Sequence, residues 1–368
     1  MKILMVSLTS CPIPSPKDQI FAPGIICYDI AKGLKQRGHK IKVFAADDSR
    51  KDEIDIEGCG IKSTYSQKNL SPDVKSYRIR AHELFTISAA FEEFKKGKYD
   101  LLHLNSFPIS DHFTNLVDGP ITCTHHGSPS KEHDLKTDID RIRQKKYYDR
   151  IKFIAISNKQ RQLGKDFFNY IATIHHGINL NSFKFNPKPS GDLAFVGRIL
   201  EMKGPDIAIK VAIKTKRRIN IVGDHSDEAY WQKIISPLVE NNKNVTYHGH
   251  VAFDKIGEAY GQAKALLVPI SWDEPFGMVV IEAMACGTPV IAFNRGSMAD
   301  LIVDGVNGFL IKPGDFDGFV EATKKIDQID RKKCREHVEK NFSIEKMVDE
   351  YEKLFLKVIK NEGIFQVK

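Results

Sequence analysis

An α/β protein of two doubly wound domains is expected from three features of this chain. Short apolar runs of strand length alternate with helical patterns, as in parallel sheets covered by helices. The alternation stops at a stretch with two prolines and then begins again. The 368 residues also exceed what one hydrophobic core usually serves.

The elements of the first half follow in order. KILMVSL is a continuous apolar run that suits a strand buried on both faces. A loop rich in Pro and Gly, SCPIPSPKDQIFAPG, leads to a helical pattern, IICYDIAKGLKQRG, and then to a second strand, HKIKVFAAD. That order is a βαβ unit. DLLHLNS, PITCTHHG and FIAISN are later apolar runs that end in polar or glycine residues. Ligands of such sheets bind beyond the carboxyl ends of the strands, so His103, Asn105, His126 and Ser157 are expected where chemistry would occur.

After TIHHGINLNSF, the stretch KFNPKPSGD has no periodic pattern and reads as a linker. The second half supplies strands in DLAFVGRI, RINIVGD, NVTYHGHV, KALLVPIS, TPVIAFN and GFLIKPGD, with helical patterns between them. The expected domains are residues 1–184 and 185–345. Residues 346–368 form a closing helical segment, apolar at helical spacing, that would return to the first domain.

Hydrophobic content of 42% and charged content of 28% describe an ordinary globular chain. Its six cysteines (Cys11, Cys27, Cys59, Cys123, Cys286, Cys334) are scattered without a CxxC pair, which suits free thiols in a reducing compartment. The start, MKILMVSLTSC, has too short an apolar stretch for a secretory signal and reads as a buried strand. No window approaches the ~18 uninterrupted apolar residues of a membrane span. The expected location is therefore the cytoplasm, with any membrane touched peripherally at its inner face. The net charge of +8 lies wholly in residues 1–185, which hold 29 Lys+Arg against 21 Asp+Glu. That half is expected to meet something anionic, although runs such as RIRQKKYYDR also suit a merely solvated helix face.

Two constellations carry chemistry. In EPFGMVVIEAMACGTP (274–289), residues 278–285 are apolar except for Glu282, a carboxylate that needs a partner or a site, because an unpaired buried charge costs several kcal/mol. Pro275 suits the first turn of a helix, Gly277 opens the backbone to a ligand, and the N–H groups of Phe276, Gly277, Met278 and Val279 would form an anion or hydroxyl docking point. Glu274 would stand at the mouth of that helix and Glu282 about two turns along it, each able to accept a pair of hydroxyls. A capping glutamate with a structural buried one is the plainer alternative. In FVGRILEMKGPD, a strand ends at Gly197, Arg198 leaves it, and Lys203 follows in a turn closed by Gly204 and Pro205. A planar guanidinium beside a mobile ammonium suits two adjacent phosphates.

VGRILEMKGP, EPFGMVVIEAMACGTPVIA and GSMADLIVDGVNGFL together resemble the family-4 retaining glycosyltransferases. The resemblance implies the GT-B fold, with the two Rossmann-like domains facing each other across a cleft, and a nucleotide-sugar donor held mainly by the second domain. Arg198 and Lys203 match the diphosphate contacts, Glu282 the ribose contact and Glu274 the donor-sugar contact. The backbone from Phe276 to Val279 matches the phosphate and sugar cradle. Gly197, Gly223, His250 and Val251 fall at strand ends expected to border the donor. APG stands where the family usually has a double glycine, so Gly24 matches the second glycine and Pro23 replaces the first. In TCTHHG, His126 rather than His125 matches the histidine near the reacting sugar.

The implied reaction moves a hexose, with retained configuration, from a nucleoside-diphosphate sugar to an acceptor that the sequence does not identify. Uridine is favoured over guanosine as the commoner base in similar enzymes. His126, Glu274, Arg198 and Lys203 form the implied catalytic set. The charge asymmetry points to an anionic or lipid-linked glycan, although a small-molecule acceptor fits the same mechanism. A nucleotide-sugar epimerase of the same architecture is the alternative within enzymes. A basic module for nucleic acid or a membrane is the alternative outside them, with nucleic acid disfavoured by few exposed aromatics. No GxGxxG follows a strand, which sets a dinucleotide oxidoreductase aside. No metal or other cofactor is expected: DID (138–140) and DFD (315–317) fit the Asp-x-Asp string of cation-dependent glycosyltransferases but stand in exposed or turn contexts.

Overall fold

Lys2–Val6 forms β1, a central strand, in the computed structural model, which describes residues 1–16, 18, 21–67, 71–129 and 138–365. Its side chains alternate between two cores, as the pleat of a strand requires. Ile3 and Met5 enter one, and Leu4 and Val6 the other. The remaining strands of the first sheet are β2 (Lys40–Phe44), β3 (Asp55–Glu57), β4 (Leu101–Leu104), β5 (Ile121–Thr124), β6 (Lys152–Ala155) and β7 (Tyr170–Thr173). All are parallel, in the order β3-β2-β1-β4-β5-β6-β7.

The chain forms two compact units, Met1–His175 with Ile344–Lys368, and His176–Ser343. In the first, helix α1 (Ala22–Gln36) packs Ile26, Ile30 and Leu34 into one core, and helix α2 (Pro72–Phe94) packs Ile87, Ala90, Phe91 and Phe94 into the other. Helix α3 (Asp138–Tyr147) lies beside a 3₁₀ segment, Ser110–Leu116.

The second unit repeats the plan with β8 (Leu193–Val196), β9 (Ile219–Val222), β10 (Val245–Tyr247), β11 (Ala265–Val268), β12 (Val290–Phe293) and β13 (Gly308–Ile311), parallel in the order β10-β9-β8-β11-β12-β13. Helices α4 (Pro205–Lys214), α5 (Phe253–Gln262), α6 (Met278–Ala285) and α7 (Arg331–Asn341) belong to it. The strand order reverses between β1 and β4 in the first sheet and between β8 and β11 in the second. Such switch points are where open parallel sheets bind ligands.

The division falls at 175/176, not at 184/185. The prolines around 187–189 mislead, because the segment before them is pinned into the second unit. Ile178 pairs with Ser343, Asn186 N–H donates to Cys286 O at 3.0 Å, and Arg335 donates to Phe183 O at 2.6 Å. The closing helix α8 (Ile344–Phe365) lies on the first unit, where Met347, Val348, Tyr351, Phe355 and Val358 complete the α1 core. Among the described residues, no helix is long and apolar enough to cross a membrane.

Candidate functional site

In the second unit, the loops that leave β8 and β11, on either side of the switch point, carry the candidate residues. Gly197 ends β8, and Gly223, at the end of β9, approaches so closely that a Cβ there would lie 1.9 Å from Gly197 O. Gly223 N–H in turn donates to Gly249 O at 2.9 Å, which ties three strand ends together. Arg198 then points its guanidinium outward, exposed and without a side-chain partner among the described residues.

Lys203, in the short turn before α4, forms an ion pair with Glu274, and both side chains are mostly buried. Its ammonium also sits over the Trp272 ring, 4.7 Å from the centroid, an attraction to the ring quadrupole. Trp272 Nε1 is buried without a hydrogen-bond partner among the described residues. Glu274 is fixed through its backbone: its carbonyl accepts from Ser297 N at 2.9 Å, while Asp273 Oδ1 accepts from Gly296 N at 3.1 Å. Ser297 Oγ caps the same loop by donating to Phe276 O.

Pro275 does not start the helix. Gly277 takes φ +92°, a left-handed conformation that L side chains avoid, so the helix begins at Met278. Glu282 therefore lies one turn inside α6, not two. The N–H groups of Gly277, Met278 and Val279 open the helix without intrahelical acceptors, at the positive end of its dipole. Glu282 is buried, and Tyr260 Oη from α5 donates to its Oε2 at 2.8 Å. Burial pushes its carboxyl up to about 7, against the opposing effect of the tyrosine hydrogen bond. His250 is exposed, with Nδ1 3.1 Å from Asp224 Oδ2, and Val251 follows it in the loop after β10.

The first unit holds the other two candidates. His126, after β5, has Nε2 3.0 Å from Asn105 Oδ1 at the end of β4. Burial pushes its imidazole down to about 4, so it is neutral near pH 7, and Asn105 accepts from Nε2–H. His125 is a core residue among Phe107, Phe168 and Tyr170, its Nδ1 2.6 Å from Tyr170 Oη. His103 is corrected from strand end to strand interior: it is fully buried beneath Tyr351 and Phe355, with ring nitrogens 2.9 and 3.3 Å from Thr122 and Thr124. Ser157 caps the helix Asn158–Gly164. Gly24 falls in the first turn of α1, where a Cβ would meet the Phe21 ring at 2.8 Å, so packing alone calls for a glycine there.

The sequence reading missed Trp272, Tyr260 and Ser297, which hold Lys203, Glu282 and the Glu274 loop. Proximity in space links them, and no spacing in the chain announces it. Asp315 of DFD is a helix cap, its Oδ1 accepting from Gly318 N at 2.8 Å. The side chains of DID lie outside the described residues. Among the described residues, no group of three or more His, Cys, Asp or Glu gathers to hold a metal ion.

The family model described as Glycosyl transferases group 1 matches residues 179–342, and that of Glycosyltransferase Family 4 matches residues 24–182. An uncharacterized glycosyltransferase of Methanocaldococcus jannaschii is 24% identical over 344 residues, covering 82% of this chain and 84% of its own. D-inositol 3-phosphate glycosyltransferase of Mycolicibacterium smegmatis is 30% identical over 173 residues, covering 42% and 39%. Matches of this second kind span less than half the length of the relatives concerned. Among solved structures, sucrose-phosphate synthase of Thermosynechococcus elongatus superposes with a TM-score of 0.79 at 20% identity, over 98% of this chain and 99% of that one. HepE of Anabaena in complex with UDP-glucose gives 0.73 at 19% identity, over 97% and 100%. Both share the two-domain GT-B fold.

Proposed function

Because this chain belongs to the glycosyltransferases of group 1 and family 4, we propose that it is a retaining, metal-independent hexosyltransferase whose second unit holds a nucleoside-diphosphate sugar. One observation carries the reading: the exposed Arg198, the Lys203–Glu274 pair, the buried Glu282 and the open N-terminus of α6 all stand on loops or helices that leave β8 and β11 at the switch point. Lys203 and Glu274 neutralise each other through their ion pair. A donor would separate them, its diphosphate taking Lys203 and Arg198 and its sugar hydroxyls taking Glu274. Glu282 would accept from the ribose hydroxyls. Uridine is the favoured base, supported by the complexes of HepE with UDP and with UDP-glucose.

The acceptor oxygen attacks the anomeric carbon as the bond to the diphosphate breaks on the same face. The acceptor proton passes to the departing phosphate oxygen, so no protein nucleophile is needed. Charge builds on the diphosphate, where Arg198, Lys203 once released from Glu274, and the α6 N–H groups would stabilise it, as groups aimed at developing charge do. His126, neutral and oriented by Asn105, is assigned a hydrogen-bonding role toward the reacting sugar. The first unit carries 33 Lys+Arg against 26 Asp+Glu, net +7, and the second is near neutral, which supports an anionic or lipid-linked glycan acceptor.

Calorimetric titration with nucleoside diphosphates and their sugars tests the donor assignment. UDP should bind with a 1:1 stoichiometry, and Lys203→Ala should weaken it roughly ten- to hundredfold, the loss of a charge-assisted hydrogen bond of about 1.5–3 kcal/mol. Equal UDP affinity in the variant and the wild type would refute the site. An epimerase would convert a UDP-sugar without any acceptor; the transferase reading expects no epimer.

A further inference from the structure

Helix α2 has two apolar faces, and only one of them meets the core. At 100° per residue, Thr86, Ile87, Ala90, Phe91 and Phe94 cluster on the inward side together with Glu83. Val74, Tyr77, Leu84 and Phe85 fall together on the opposite side, where Tyr77 is 73% and Phe85 56% exposed. A surface helix ordinarily presents polar residues there. Exposed Lys75 and Arg78 flank the stripe on one side and Arg80 on the other. Arg78 donates to Gln67 Oε1 at 2.6 Å, and Asp73 in the first turn is the one acid on this exposed N-terminal part of the helix. The Ser110–Leu116 segment meets α2 through the Phe91–Phe113 ring contact at 5.6 Å and exposes Leu116. Asn115 Nδ2 of that segment donates to Lys146 O of α3 at 3.1 Å, and α3 exposes Ile142 beside Lys145 and Lys146.

We propose that this face of the first unit, centred on α2, docks onto a bilayer containing anionic lipid. An apolar stripe bordered by cations is the pattern of a helix lying in the membrane interface, its side chains reaching about 5–10 Å into the headgroup boundary. Tyr and Phe are suited to that depth, having an apolar body with, in Tyr, a polar tip. The cations match the negative potential of such a surface, and the unit's net charge of +7 has the same sign. A second copy of this chain fits less well. The stripe runs about 16 Å along one helix face, at 1.5 Å per residue, and cannot reach the roughly 800 Å² per partner of a standard interface. Two copies would also bring like charges together.

The inference does not depend on the donor site, and vesicle sedimentation tests it without any transfer reaction. Vesicles of equal parts phosphatidylglycerol and phosphatidylcholine should retain the full chain roughly tenfold better than phosphatidylcholine alone at low salt, with the advantage shrinking as salt screens the cations. Tyr77→Ser/Phe85→Ser should lose most of that retention while its UDP affinity and circular dichroism stay those of the wild type. Lys75→Glu/Arg78→Glu/Arg80→Glu should lose it as well, and decides the matter if the first variant fails to fold. Equal retention by both vesicle types would overturn the proposal. So would undiminished retention of a folded variant, or a stable dimer in solution that Tyr77→Ser/Phe85→Ser dissociates.

Discussion

On the proposed assignment, Glu282 couples the proton to both stability and donor binding. Its carboxyl titrates at about 7 in the folded chain against 4.5 for the free group, so between those values the folded state keeps a proton that the unfolded state has released. The carboxyl's contribution to stability is full below pH 4.5, declines as pH rises through about 7 and is then constant; the decline is at most about 3 kcal/mol. Glu282→Gln should flatten that part of the stability profile in urea titrations taken from pH 5 to 8. Binding should run the other way, because the ionised carboxylate is the stronger acceptor for ribose hydroxyls. UDP affinity measured by calorimetry should rise more steeply with pH across the same window in the wild type than in Glu282→Gln, which keeps only the slope from the ligand's own terminal phosphate, whose second pKa is about 6. A wild-type slope no steeper than that of Glu282→Gln would remove Glu282 from the ribose contact. Lys203 differs in having Glu274 as its ion-pair partner, so on the proposed assignment Lys203→Ala should lose that pair as well as donor affinity.

The open end of α6 rests on Gly277. An alanine there would be held at φ +92°, at a cost of about 1–2 kcal/mol, and its Cβ would meet Met298 Cε at 2.8 Å. Gly277→Ala should lower the urea midpoint and weaken UDP binding together; a variant that lost stability but kept full affinity would mean that the helix N-terminus does not face the donor. The central strands and the glycine-bearing loops were legible in the sequence because a strand buried on both faces is apolar at every position, as in the ALLV run of β11 and the VIAF run of β12. The three-residue edge strand β3 and the YIAT run of β7 gave no such signal. Helix α2 escaped for a more informative reason: apolar residues on both its faces blur the 3.6-residue period that marks an amphipathic helix, and that blurring is itself the feature on which the membrane proposal rests. The Glu274–Glu282 spacing was readable, but the groups that hold those carboxylates come from Trp272, Tyr260 and Ser297, and only the folded chain reveals that they meet.

At the scale of the molecule, the chain leaves the first unit at 175 and returns to it at 344, so the stability of that unit depends on residues that follow the whole of the second. Helix α8 is anchored by Tyr351 and Phe355, both fully buried, by Tyr351 Oη 2.7 Å from Thr124 Oγ1, and by Glu352, which accepts from Arg37 at 2.8 Å and pairs with His39 at 2.6 Å. Phe355→Ala empties a site in the α1 core and should cost about 3–5 kcal/mol, borne by the first unit. UDP at a hundredfold excess over its Kd should add about 2.7 kcal/mol to whatever binds it, and on the present assignment that is the second unit. Hydrogen–deuterium exchange separates the two effects by position. Phe355→Ala should speed exchange in β1, α1 and α8 and leave β8 and β11 unchanged, whereas UDP should slow exchange around 197–204 and 276–280. Protection by UDP confined to the first unit would reverse the assignment of the donor, whatever the affinity.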